Sequence, residues 1–215
     1  MKRAIAHILT ATITLVILCL RLKAATSFVL LMWYTPTIIA QSSVIVLLLV
    51  NLKYKPVHSN EKLTVFFAAL LSTNFPVLIS LLGLLYPQYQ AIPISGLQIA
   101  GSLLNLLSMP LYSWALLNLG QNLAILPEAY TLRVNGAYRF SRHPLYLIYI
   151  FWCVTQCMIF QTWSTLVFSI PQTTLYLFRA KQEEKVLSDV FPEYLEYRKK
   201  VMWLGARKEP AAISV

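Results

Sequence analysis

A chain of 215 residues has room for one domain or two small ones. Only 12% of it is charged and 58% is hydrophobic, with a mean hydropathy of +0.63, whereas an ordinary soluble domain is about a quarter charged. That excludes a soluble domain and predicts an all-α, polytopic transmembrane bundle of about six helices. The net charge of +10 sits mostly between apolar runs, so it fits membrane topology and anionic headgroups and predicts no nucleic-acid partner. Cys19, Cys153 and Cys157 lie inside apolar segments and offer neither metal spacing nor a disulfide framework.

Lys2 and Arg3 precede an apolar run from Ala4 to Leu20. It is near the lower length limit for a span and no clear cleavage site follows, so it reads as a retained first helix. Arg21 and Lys23 read as a short connection to a second run, Thr26 to Val50, which Pro36 divides and kinks. A polar loop from Asn51 to Lys62 carries Lys53, Lys55 and Lys62, with Pro56 as a helix stop. The third span runs from about Leu63 to Tyr86. Ser72, Thr73 and Asn74 lie near Pro76 at its centre, where their side chains can bond carbonyls freed by the proline. Asn74 is also a candidate substrate contact. After the uncharged loop Pro87 to Pro93, the fourth span covers about Ile94 to Leu119. Gly96, Gly101 and Ser102 are its small packing residues and Pro110 is a second kink site.

Residues 120–142 form the longest internal polar segment, read here as an ordered loop. Two short apolar arms follow, Leu145 to Phe160 and Thr162 to Phe178, separated by little more than Gln161. They predict a tight helical hairpin, its second arm bent at Pro171. An amphipathic charged helix then runs from Phe178 to Arg198, interrupted near Phe191-Pro192, as a cytosolic C-terminal helix. The chain thus divides into N-terminal transmembrane helices, 1–119, and a C-terminal region of loop, hairpin and amphipathic helix, 120–215. With six helices, both termini, the Lys53/Lys55/Lys62 loop and the Arg133/Arg139/Arg142 loop share one side. The positive-inside rule makes that side cytoplasmic, with Arg21 and Lys23 as the exceptions.

The hairpin would return Arg179, Glu183 and Glu184 to the depth of Arg142, His143 and Tyr146. Pro144 suits the first turn of a helix, which places Arg142 and His143 at an N-terminus that favours anions. Two readings stay open for Arg139 and Arg142: charges flanking a span, or part of an anion site. Arg179 and Glu183, four apart, are either an intrahelical ion pair or one wall of a shared cavity.

Arg142-His143-Pro144-Leu145-Tyr146 resembles the Arg-His-Pro-x-Tyr signature of the isoprenylcysteine carboxyl methyltransferase and phospholipid methyltransferase group of integral membrane enzymes. The resemblance continues in Gly120, Leu126-Pro127-Glu128-Ala129, Gly136-Ala137-Tyr138-Arg139, Arg179, Glu183-Glu184-x-x-Leu187, Phe191, Tyr194 and Tyr197. Two positions depart from the pattern. Ala137 stands where the family usually has Pro, and Ile148 where it usually has a Gly that admits a neighbouring backbone.

The resemblance implies an S-adenosylmethionine-dependent methyltransferase with its active site on the cytoplasmic side. Gly136, Tyr138, Arg142, His143, Pro144, Tyr146, Glu183 and Glu184 are the implied cofactor site, and Arg179 and Glu183 the implied catalytic residues. The helix N-terminus with Arg142 or His143 would hold the cofactor carboxylate, and Glu183 or Glu184 would balance its ammonium or sulfonium. Tyr138, Tyr146 or loop backbone would frame the nucleoside. Arg179 would grip one oxygen of an acceptor carboxylate, whereas an amine acceptor would need Glu183, Glu184 or His143 as a base. The acceptor would be lipidic or prenylated and arrive from the membrane lipids, with Met109, Trp114, Phe151 and Trp152 as candidate tunnel residues. Three other readings are a sterol-reductase-like enzyme using NADPH, a phospholipid amine N-methyltransferase, and a non-catalytic membrane scaffold.

Overall fold

A computed structural model describes residues 2–24, 38–40, 42–46, 48–50, 53–60, 62–73 and 95–203. Pro36, Asn74, Pro76, the loop 87–93, the end of the third span and the tail after 203 lie outside the described residues. The chain is mostly helical. Helix α1 spans Lys2–Ala24, α2 covers described residues of Ile38–Val50, and α3 is Leu63–Thr73. The first helix therefore continues through Arg21 and Lys23, where a connection was expected. Residues 20–24 are Leu, Arg, Leu, Lys and Ala, all good helix formers with no Gly or Pro to stop them.

Helix α4 (Gly96–Leu107) starts at a capping box: the Ser95 hydroxyl accepts from the Gln98 N–H at 3.2 Å, and the Gln98 side chain accepts from the Ser95 N–H at 2.9 Å. It breaks at Ser108, and α5 (Met109–Leu119) resumes with Pro110 in its first turn, so the kink falls where the proline predicts. Gly96–Leu119 is, among the described residues, the one stretch both long and apolar enough to cross a bilayer. Leu107, Leu117 and Trp163 are 71%, 78% and 82% exposed, an outward apolar surface that a water-soluble fold of this size would bury.

The segment after α5 is ordered by short elements. Asn122 and Thr131 tie its ends, with the Asn122 amide donating to the Thr131 carbonyl at 2.5 Å and the Thr131 hydroxyl to the Asn122 side chain at 3.0 Å. Its middle, β2 (Glu128–Ala129), pairs antiparallel with β1 (His58–Ser59), in register His58 to Ala129 and Ser59 to Glu128. The chain remains mostly helical, as expected, with this short pair as an addition to it. Two polar loops carry backbone groups that helices would have satisfied internally, and they satisfy each other instead. The pairing also brings the loop of Lys53 and Lys55 to the same end of the molecule as the segment that precedes Arg142.

After a 3₁₀ turn at Gly136–Arg139, the hairpin forms as its spacing predicts. Helix α6 (Pro144–Phe160) stops at Gln161, which adopts a left-handed conformation with φ 50°, and Thr162 caps the second arm. That arm, α7, is one helix from Trp163 to Val190, running through Pro171 and through the charged stretch. The expected boundary at Phe178 is absent because Lys, Gln and Glu propagate a helix as well as apolar residues do. The break falls at residues 191–193, before α8 (Tyr194–Lys200). Close packing of α4 on α6 comes from α4: a Cβ on Gly101 would stand 2.8 Å from Met158 Cβ. Gly101 therefore provides the close approach that Ile148 cannot, while Ile148 packs against the Tyr112 cluster.

Candidate active site

A cavity of about 230 Å³ opens between the hairpin, the 120–135 segment and helices α1 to α3. Its two ends differ in chemistry. Arg142, His143 and Glu183, near the start of α6, make one polar, and Ala40, Val44, Tyr112, Tyr149, Trp152 and Tyr176 make the other aromatic and apolar, with Tyr138 packed between them.

The polar end is assembled across the hairpin mouth. Glu184 Oε1 is hydrogen-bonded to His143 Nε2 at 3.3 Å and forms an ion pair with Arg142, whose Nη1 lies 2.9 Å away. On the other side of the imidazole, Nδ1 lies 4.0 Å from Glu183 Oε2. With Nε2–H given to Glu184, a neutral His143 presents Nδ1 as an acceptor, and a second proton makes it a donor towards Glu183. The Tyr146 hydroxyl donates to Glu183 Oε1. His143 and Glu183 thus face one space, 5% and 27% exposed.

Arg179 is held from three directions. Nη1 donates to Ser72 Oγ at 3.3 Å and Thr73 Oγ1 at 3.0 Å, and Nη2 donates to the carbonyls of Ala124 at 3.4 Å and Ile125 at 2.9 Å. Glu183 lies 3.8 Å from Nη2, and the guanidinium sits 5.7 Å from the centre of the Tyr146 ring. Arg179 Nε is buried with no hydrogen-bond partner among the described residues. The ion pair with Glu183 exists, but it is longer than the four hydrogen bonds and does not by itself fix the guanidinium.

Outside the spans, burial raises the pKa of the Tyr138, Tyr194 and Tyr197 phenols, and Glu183 adds to the effect at Tyr138. They remain neutral donors or acceptors. Burial works against the Glu184 carboxylate, yet the hydrogen bond from His143 and the charge of Arg142 leave its pKa below the usual carboxylate range.

Of the residues singled out from sequence, Tyr138, Arg142, His143, Tyr146, Arg179 and Glu183 line the cavity together. Gly136, Pro144 and Glu184 do not. Gly136 has φ 60° and abuts the Asn118 side chain, which occupies the place a Cβ would need, so it shapes the turn that presents Tyr138. Pro144 opens α6, and Glu184 acts from behind on Arg142 and His143. Among the candidate tunnel residues Trp152 lines the cavity, with its indole N–H given to Ser108 Oγ at 2.6 Å. Met109 is buried off the cavity wall, and Trp114 and Phe151 are exposed.

Several lining groups were not foreseen. Tyr112, Tyr149 and Tyr176 form a ring cluster with Tyr146 and Trp152, centroids 5.0–6.3 Å apart. The signal was present in the helical spacing of Tyr146 and Tyr149, and of Tyr176, Arg179 and Glu183, each set on one face. Thr73 and Glu128 also line the cavity, and Glu128 accepts from the Tyr130 hydroxyl at 2.6 Å.

The model of the isoprenylcysteine carboxyl methyltransferase family matches residues 100–189, which contain the signature, the hairpin and Arg179 to Glu184. The match covers under half of the chain, and over that region the chain is similar to this family. The chain is 36% identical over 69 residues to protein-S-isoprenylcysteine O-methyltransferase of Saccharomyces cerevisiae. That match covers 31% of the chain and 29% of the yeast protein, so the chain matches less than a third of the length of this curated relative. The family that this region resembles is named for its carboxyl methyltransferase activity.

Proposed function

We propose that the chain is a multi-pass membrane methyltransferase that transfers a methyl group from S-adenosylmethionine to a lipidic acceptor reached from the bilayer. By this reading it is most like an isoprenylcysteine carboxyl O-methyltransferase, with residues 120–215 as the catalytic region on the helices of 1–119. The observation that carries it is a single cavity, aromatic and apolar at one end, with a buried and incompletely bonded arginine beside paired acidic and imidazole groups at the other.

The residues fit the cofactor's chemistry. Glu183 offers negative charge to an ammonium or sulfonium, His143 and the amides at the start of α6 face a carboxylate, and Tyr138 with the 120–135 segment frames a nucleoside. Bound there, the cofactor supplies an electrophilic methyl carbon. The protein's part is alignment and exclusion of water, because in-line displacement at carbon needs a fixed nucleophile and a dry path.

A carboxylate acceptor requires no base. Arg179, which lines the cavity, can hold one of its oxygens while the other attacks, its guanidinium being anchored by Ser72, Thr73 and two carbonyls. The ring cluster and the apolar residues of α2 accommodate a prenyl or acyl chain. The side holding β1, β2 and α8 is read as cytoplasmic, since it gathers Lys53, Lys55, Arg198, Lys199 and Lys200.

The test is a thermal shift of the purified protein in detergent, followed by transfer of a labelled methyl group to a small prenylcysteine analogue. S-adenosylhomocysteine is expected to raise the melting temperature and NADPH to leave it unchanged. Label is expected on the prenylcysteine, and Arg179→Ala and Glu183→Ala are expected to abolish it. Stabilisation by NADPH alone identifies a reductase. Label on a phospholipid amine instead identifies an N-methyltransferase, and no incorporation by any variant identifies a scaffold.

A further inference from the structure

The segment that follows the family-matched region folds back onto the polar end of the cavity. Residues 190–203 lie beyond the match, yet they bond to the start of α6 and the turn before it. The Tyr197 hydroxyl donates to the Tyr138 carbonyl at 2.5 Å. The Met202 carbonyl accepts from the Arg142 N–H at 3.1 Å, and the Trp203 carbonyl accepts from the Ser141 hydroxyl at 3.2 Å. Ser141 Oγ in turn accepts from the His143 N–H at 3.2 Å. The Trp203 indole stands edge-on to the His143 imidazole, with centroids 6.1 Å apart at 86°. It also packs against the cluster formed by Tyr146, Tyr176 and Ala180.

An imidazole is held only if its rotation about χ1 and χ2 is blocked. Glu184 engages one edge of His143, and the Tyr146 ring, 5.6 Å away, covers part of a face. Trp203 closes another side. Its indole N–H is buried with no hydrogen-bond partner among the described residues, so its contribution to His143 is packing.

We infer that Trp203 is a positioning residue, holding His143 between Glu183 and Glu184, and that residues 202–203 clasp the start of α6 so that the end of the described chain completes the cofactor end. The inference rests on the cofactor reading above. Hydrogen exchange of the segment 141–147 tests the clasp without any cofactor, and Trp203→Ala is expected to speed it at least about tenfold. Unchanged exchange overturns the clasp.

Binding tests the positioning. Trp203→Ala is expected to weaken S-adenosylhomocysteine about tenfold while leaving the acceptor KM unchanged, and Trp203→Phe to stay within about threefold of wild type, since a phenyl ring restores most of the packing. In a His143→Ala background, adding Trp203→Ala is expected to change affinity no further, because coupled residues are not additive. An equal loss with and without His143 overturns the positioning role. If Trp203→Ala does not fold, Trp203→Leu carries the same comparisons. A wild-type protein that binds no S-adenosylhomocysteine refutes the proposed function, and the exchange measurement still decides the clasp.

Discussion

The polar and aromatic ends of the cavity are held together by different forces. At the polar end, His143 bonds to Glu184, Tyr146 donates to Glu183, the Arg142 N–H donates to the Met202 carbonyl and Arg179 donates to the carbonyls of residues 124–125. At the other end Tyr112, Tyr149, Tyr176 and Trp152 hold one another by ring contacts, with few hydrogen bonds among them. Directional bonds fix atoms to within tenths of an ångström, as a reacting group demands. Ring packing fixes volume and shape and tolerates variation, which suits a flexible lipid chain. The difference separates a part of the site that should respond sharply to a single atom from one that should respond to bulk.

The largest expected effect is at the polar end. Glu183→Gln keeps the shape and the Tyr146 contact but removes the charge, and is expected to lower kcat/KM by at least about 100-fold, near 2.7 kcal/mol. A loss of less than about threefold in labelled methyl transfer would mean that the charge at this position is not used.

Next comes the turn that presents Tyr138. Gly136→Ala places a Cβ on a left-handed residue against Asn118 and is expected to destabilise the protein by about 1–2 kcal/mol. Differential scanning of the detergent-solubilised protein should show a lower melting temperature, with Asn118→Ala partly relieving it.

The aromatic end should behave otherwise. Tyr149→Leu removes the ring at the centre of the cluster but keeps apolar bulk, and is expected to raise the acceptor KM about fivefold while leaving cofactor affinity within about twofold. Equal losses in both would show that the two ends are not separable.

The smallest effect concerns pH. The pKa of Glu184 is lower in the folded protein than in the unfolded chain, so its contribution to stability is present above the ordinary carboxylate pKa of about 4.3 and is lost as pH falls through the folded value. The melting temperature should fall below about pH 4.3, and Glu184→Gln should shallow that fall by a few degrees. An identical acid profile for the variant would remove Glu184 from the balance.

Much of this architecture could be read from the chain. The apolar runs separated by Gln161 specify a hairpin because so few residues permit no other connection. Arg142-His143-Pro144 marks a helix start because proline in a first turn gives up no intrahelical hydrogen bond. Those are local constraints, and local constraints are written in consecutive residues. Where the chain misled, tertiary context or unbroken propensity prevailed: α1 continues past Arg21, α7 past Phe178, and two loops pair as strands.

By itself, then, the sequence determined the membrane-like composition, the hairpin and the identity of the residues that meet at its mouth, since each follows from periodicity, from a breaker residue or from a motif. Tertiary structure alone decided that the Arg179 guanidinium is anchored by Ser72 and Thr73, more than a hundred positions earlier, and that Gly101 rather than position 148 lets α4 and α6 approach. It also decided that Trp203 backs His143. Such pairings depend on which surfaces meet after the chain has folded, and no spacing along the sequence encodes the direction in which a side chain will find its partner.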